Sequence, residues 1–203
     1  IQEFSVHTLN DVFRYFNDDK KNWKIPIFTK HPKIHEIYEE LTHMSVVINQ
    51  ELKSFFDSYY ANRGNDVGKS EYYMDKHLYR NSQEEFIDTF PNPKDILISL
   101  QSFQNNVNKF SALIKEYKEQ LPKSILIEFN IVENCLQDGI GNLQSVLDIE
   151  NNNVQWSSFI QREFKPLTIL NSAPLKVNQF IHDHLLERST GGLFCSATLT
   201  VDE

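Results

Sequence analysis

A chain of 203 residues with 40% hydrophobic and 24% charged side chains has apolar surface enough for a proper core, which excludes disorder, a collagen repeat and a disulfide scaffold. Twenty Lys and Arg against 28 Asp and Glu leave a net charge of −8, so nucleic-acid binding by bulk positive charge is excluded and any such contact belongs to a local patch. Two isolated cysteines, Cys135 and Cys195, no secretory pattern at the start and no apolar run near the roughly 18 residues of a membrane span predict a soluble, reduced, cytoplasmic protein with no membrane partner. Residue 1 is Ile, and the chain stops just after the apolar run Gly192-Leu-Phe-Cys-Ser-Ala-Thr-Leu199, so the expectation is a piece of a longer protein.

Residues 1–150 carry a helical period. Thr8 is placed to cap a short helix with Leu9, Val12, Phe13 and Phe16 on one face, ending at Asn17-Asp-Asp. Residues 20–32 read as a loop with Pro26 and Pro32. From Pro32 one apolar stripe (Ile34, Ile37, Tyr38, Leu41, Met44, Ile48, Leu52, Phe55, Phe56, Tyr59) continues for nearly 30 residues, a rod of about 45 Å at 1.5 Å per residue. Residues 62–92 are polar and predict a long loop holding the aromatics Tyr72, Tyr73, Tyr79, Phe86 and Phe90, with a short helix at 82–88. A second rod starts at Pro93 and runs through Ile96, Leu100, Phe103, Val107, Phe110 and Ile114 until Leu121-Pro122 stops it. Ser124 is placed to cap a third, carrying Ile125, Ile127, Phe129, Val132, Leu136, Ile140, Leu143 and Leu147, and Gly139 with Gly141 predicts a kink or break in it.

After Asn151 the period changes. Residues 154–160 and 167–171 read as strands, Pro174 opens an amphipathic helix with Val177, Phe180, Ile181 and Leu185, and Gly191-Gly192 leads into a buried strand at 193–197. The fold expected is mainly α: long antiparallel helices over 1–150, with a small α/β base over 151–203.

Several residue sets suggest chemistry. Gly64-Asn-Asp-Val-Gly68-Lys69-Ser70 is one residue short of a phosphate-binding loop and follows a helix where a strand is required, so it reads as a hinge. His31, His35 and Glu39 are spaced by four, but Pro32 puts His31 outside the helix and the zinc-hydrolase pattern fails, so no metal is expected. His182, Asp183, His184 and Ser196 supply the residue types of a triad without a nucleophile elbow. Cations concentrate in two places: Lys20, Lys21, Lys24 and Lys30 with Trp23 and Phe28, and Arg63, Lys69, Lys76 and Arg80 with Tyr72, Tyr73 and Tyr79. That mixture of cations and aromatics binds phosphate and stacks bases of single strands, and solvated loops share it.

The last 50 residues carry a resemblance. Trp156 in a strand, Pro166-Leu-Thr-Ile-Leu170, Ser172-Ala-Pro174-Leu175, an amphipathic helix to Leu186, and Leu193-Phe-Cys-Ser196-Ala197-Thr198-Leu199-Thr200 resemble the DinG family of ATP-dependent DNA helicases, relatives of XPD. The resemblance implies that the rods are the arch inserted in a RecA-like motor domain, and that Ser196, Ala197, Thr198 and Leu199 are motif III, whose hydroxyls couple nucleotide state to DNA grip. It implies ATP and Mg2+ for the intact parent and single-stranded DNA as partner. The Walker A and Asp-Glu-Ala-His motifs, the C-terminal motor motifs and the iron–sulfur cysteines are not in this chain, so no catalysis is expected from the piece alone. Some bacterial relatives add an exonuclease domain. The competing expectation is a helical protein-interaction module with no nucleic-acid role.

Overall fold

The apolar stripes become three long helices in the computed structural model, which describes residues 1–17, 25–64, 75–79, 82–148, 153–160 and 166–174. A strand β1 (Gln2–Ser5) leads to helix α1 (Asn10–Asn17) and a single turn α2 (Ile25–Phe28). The first rod is α3 (Pro32–Arg63), followed by β2 (Asp75–Tyr79) and the short α4 (Ser82–Glu85). The other rods are α5 (Pro93–Glu116) and α6 (Lys123–Leu147), and the hairpin β3 (Asn153–Ile160) and β4 (Leu167–Pro174) completes the described part.

Two of the rods start at a proline, whose fixed φ suits the first helical turn and whose missing N–H is not needed there. Pro32 and Pro93 hold that position in α3 and α5, and Asn92 caps α5 by accepting the Lys94 N–H at 2.9 Å. In α6 it is Pro122, not Ser124, that occupies the cap, with Ile125 N donating to its carbonyl. Thr8 does not cap α1 either: its Oγ1 accepts from Ser5 N at 2.8 Å and closes the turn leaving β1.

Successive contacts show α3 and α5 antiparallel, His31 against Tyr117, Tyr38 against Phe110 and Glu40 against Asn106. Helix α6 returns beside α5 across a short turn, and α1 lies over both α3 and α6. Fully buried Phe16, Phe28, Phe103, Phe110 and Phe129 fill the space between them, each burial contributing about 1.5–3 kcal/mol. The stretch of loop expected at 20–32 thus contains a core residue: Phe28 packs its ring 4.9 Å from Tyr38 and 5.6 Å from Phe110, so it is not the exposed aromatic of a strand-binding loop.

Helix α6 runs unbroken through its glycines. Gly139 is there for closeness: a Cβ would come within 2.4 Å of Leu9 Cδ2, and Leu9 is itself buried. At Gly141 a Cβ would meet nothing within 4 Å. Gly139→Ala is therefore expected to destabilise by about 1–3 kcal/mol through overpacking, whereas Gly141→Ala stabilises by about 0.5–1 kcal/mol through helix propensity. Urea denaturation of the two variants checks it, and equal effects would contradict the packing of α1 on α6.

The four described strands form an antiparallel sheet in the order β1-β4-β3-β2. Strands β3 and β4 lie where the sequence predicts them; β1 and β2 were not expected, and both come from before residue 150. One rung reads Phe4, Leu170, Ser157, His77 across all four strands, on the face turned to the helices. Phe56 and Tyr59 at the end of α3 meet that face through Phe4 and Phe159, with ring centroids 6.2 and 6.1 Å apart, and Phe86 after α4 packs on Phe55 and Tyr59 at 5.6 and 5.3 Å. The expected helix from Pro174 and strand at 193–197 lie outside the described residues, apart from Pro174 itself, which ends β4.

Candidate functional site

Of the residues proposed for DNA contact, Lys20, Lys21, Lys24, Lys69 and Arg80 lie outside the described residues, as do Ser196, Ala197, Thr198, Leu199 and the His182–His184 set. Lys76 is placed in β2. Lys30 is exposed beside the start of α3. The remaining two, Tyr79 and Arg63, both lie near Glu85.

Tyr79 is 3% exposed, so it cannot stack on a base. Alternation along β2 explains this: Leu78 faces outward while His77 and Tyr79 face the helices. The Tyr79 hydroxyl donates to the Val146 carbonyl at 2.8 Å, and its ring meets Phe86 edge-on at 5.5 Å. Burial, then the nearby charge of Glu85, pushes its phenol well above the ordinary value of 10.0.

Arg63, in the last turn of α3, is half-buried, with Nε 3.6 Å from Glu85 Oε1. Glu85 is the centre of a joint. Its side chain is 8% exposed, and α4 delivers it between three elements. Tyr59 donates to Oε1 at 2.5 Å, and His77 Nε2 lies 3.2 and 3.3 Å from the two carboxylate oxygens. The Tyr59 oxygen is also 3.0 Å from Ser157 Oγ, which reaches the His77 carbonyl at 3.5 Å. Burial first, and then the Glu85 hydrogen bond, raises the Tyr59 phenol, with Ser157 acting the other way. A buried carboxylate costs several kcal/mol unless paired and hydrogen-bonded, and here the partners come from α3 and β2, with Ser157 of β3 joined to the set through Tyr59. The set thus ties the end of the long rod to the sheet.

The histidines near the other end of α3 separate. His31 faces Tyr117 at 4.9 Å, and His35 Nε2 lies 3.3 Å from Glu39 Oε1 at the surface. Among the described residues no three His, Cys, Asp or Glu converge, and no helix is long and apolar enough to cross a membrane. Gly64, the described residue of the 64–70 run, caps helix α3 with φ −71° and ψ −20°, whereas a phosphate loop follows a strand.

Cavities lie elsewhere among the described residues, one of about 360 Å³ beside α1 lined by Asn10, Phe13, Arg14, Asn17 and Asn49. A groove of about 930 Å³ beside α5 and α6 is lined by amides, among them Gln2, Gln101, Gln137 and Asn142, with Asp138 and Asp148 as its charged groups. Without a cation it repels a phosphate backbone. A smaller cleft of about 260 Å³ lies between α4 and the start of α5, lined by Gln83, Phe86, Ile87, Pro93, Lys94 and Leu147, with Asn92. The loop joining the two helices exposes Phe90 by 84% and Ile87 by 72%. Sequence reading placed Phe86 and Phe90 in one aromatic cluster. Their opposite exposures, 1% and 84%, distinguish a core ring from a surface one.

No protein-family model, curated protein or solved structure matches this chain.

Proposed function

We propose that the chain is the arch, with an adjoining motor segment, of an ATP-dependent DNA helicase of DinG type, framing a single strand during unwinding while ATP and Mg2+ are handled by other parts of the parent. The observation that carries this reading is the pairing of β1 with β4, which sets Gln2 opposite Ser172. The helical part leaves and returns through neighbouring strands, the geometry in which a domain can be inserted into a host with little disturbance. The returning strand β4 holds Leu167 to Leu170 and Ser172 to Pro174, part of the segment that resembles the helicases.

A RecA-like motor is built on a mainly parallel sheet, and the four described strands are antiparallel. On this reading they form the root of the arch, and the motor strand is the later Leu193–Ala197 run that leads to Ser196–Leu199. Rod α3 spans 32 residues, about 48 Å. Lys30 and Arg63, described members of the two cation clusters, lie at its opposite ends, which on this reading gives a strand two separate footholds.

A salt series with a labelled single-stranded oligonucleotide tests the reading. Binding is expected to weaken steeply with salt, and replacing Lys76 and Arg80 with Ala to lower the slope of log K against log salt by about 1.4 if both touch phosphate. No binding at low salt, together with unchanged unwinding when the same substitutions are made in the parent, would defeat it. Ile127 and Ile131, one turn apart on α6 and 62% and 57% exposed, favour the second reading in that event, a helical face for a protein partner.

A further inference from the structure

We infer that the sheet face turned away from the rods docks the segment following β4, residues 175–186, through Val177, Phe180, Ile181 and Leu185. Nothing in this depends on the single-strand reading above. Register fixes which residues make up that face. Val154, Trp156, Ser158 and Ile160 of β3 stand opposite Ala173, Asn171, Ile169 and Leu167 of β4, and Leu78 of β2 lies beside Trp156. The contacts from the helices fall on the alternate set, with Phe56 on Phe4, Tyr59 on Ser157 and Phe159, and the Val146 carbonyl on Tyr79. Val154, Trp156, Ile160, Leu167 and Ile169 accordingly stand outside the hydrophobic core that the helices share with the sheet. Leu167 is nevertheless buried, at 8% exposure. An apolar side chain withdrawn from water outside that core needs a cover of its own.

The chemistry of the face describes that cover. Apolar side chains occupy the two central strands, while the outer strands bring Glu3, Ser5 and Lys76 to the same face beside Leu78. An apolar stripe with polar margins is the footprint of one amphipathic helix. Asn171 and Ser158 interrupt the stripe, but Asn171 Nδ2 donates to Ser158 Oγ at 3.1 Å and lies 3.3 and 3.0 Å from the Trp156 and Ile169 carbonyls. An apolar cover therefore leaves that amide nitrogen with partners. The segment 175–186 has the matching pattern, Val177, Phe180, Ile181 and Leu185 recurring at three and four with Gln179 and Asp183 opposite. Its twelve residues make about 18 Å of helix, against about 26 Å for the eight-residue strands, so it fits along the stripe. Strand β4 ends at Pro174, so the segment is tethered at the surface and docks without the association cost that a separate partner bears.

The chain has two tryptophans, Trp23 and Trp156, so Trp23→Phe leaves Trp156 as a single fluorescent reporter on the docking face. In the full chain with that background, Trp156 is expected to be shielded from iodide. Phe180→Asp combined with Ile181→Asp sets two carboxylates against the stripe. The expected result is loss of the shielding and a red shift of the emission, with the far-ultraviolet helical signal of the rods retained. Gln179→Asp, on the opposite side of the helical period, should leave the shielding intact. Hydrogen exchange of the unaltered chain supplies a reading that needs no variant: amides of 177–185 are expected to exchange as slowly as those of β4. Exchange there at the rate of an unstructured peptide would overturn the inference, as would shielding of Trp156 that the double substitution leaves unchanged. Shielding lost on dilution, with a dimer seen by sedimentation, would assign the face to a second copy of the chain and overturn it too.

Discussion

Phe110→Ala is expected to lower the unfolding free energy by about 3–5 kcal/mol, the range for removing a large ring from a close-packed core. Phe110 is fully buried and touches three separate helices: Phe28 of α2 at 5.6 Å, Tyr38 of α3 at 5.9 Å and Phe129 of α6 at 5.0 Å. Its ring is the wedge on which two long helices and the α2 turn converge, so the surroundings have little freedom to collapse into the space. Phe110→Leu keeps much of the volume and should cost distinctly less. Urea denaturation followed by circular dichroism measures both. A loss below about 1 kcal/mol for the alanine variant would be incompatible with the packing of α5 described above.

Alkaline pH is expected to unfold the chain with unusual steepness, because Tyr15, Tyr59 and Tyr79 are all held protonated in the fold. Burial is the leading cause for each; Tyr38 and Glu128 add to it at Tyr15, the Glu85 hydrogen bond at Tyr59, and the Glu85 charge at Tyr79. The sign follows from linkage. A phenol whose folded pKa lies above its unfolded value of 10.0 leaves the folded state with more bound protons above pH 10, so stability is complete below that pH and falls as pH rises. Each phenol contributes about 1.4 kcal/mol per pH unit, so the three together approach about 4 kcal/mol per unit. Unfolding midpoints between pH 9 and 12 measure the slope, and Tyr59→Phe or Tyr79→Phe should each remove about a third of it. Tyr79→Phe also loses the hydrogen bond to the Val146 carbonyl, at about 1 kcal/mol near neutrality. If Tyr59→Phe keeps the full slope, its hydroxyl is not enclosed as described.

The rods were legible because helical burial repeats its signal every three or four residues, and Ile34 to Tyr59 repeats it through about seven turns. Strands β1 and β2 were not. Gln-Glu-Phe-Ser has one inward apolar residue, Phe4, and Asp-Lys-His-Leu-Tyr turns a polar histidine and a tyrosine inward while Leu78 faces out. Alternation reversed in this way looks like a loop. The same reversal misled the site reading, since Tyr79 among cations has the composition of a strand-binding loop and the environment of a core ring. Gly139 was read through its conformational freedom, although what fixes it is the side chain of Leu9, 130 residues away in sequence and invisible to any local pattern. Glu85 carries no sequence signal at all: its partners Tyr59, Arg63 and His77 meet only once α3 and β2 are assembled, and Ser157 of β3 joins through Tyr59.

The pairing of β1 with β4 also dictates an order of assembly. Gln2 and Ser172 are about 170 residues apart along the chain, while α5 and α6 meet across a single short turn. Closing a loop of that length costs entropy before any contact across it returns free energy, so short-range pairs condense first and long-range pairs follow. The α5–α6 hairpin and the long face of α3 can therefore come together as a nucleus, and the outer strand is stitched on last. Until it is, β4 presents an open edge with unpaired amides and carbonyls. A folding intermediate of this chain would accordingly be helical, nearly native in its rods, and prone to capture another molecule's strand at the position β1 finally takes.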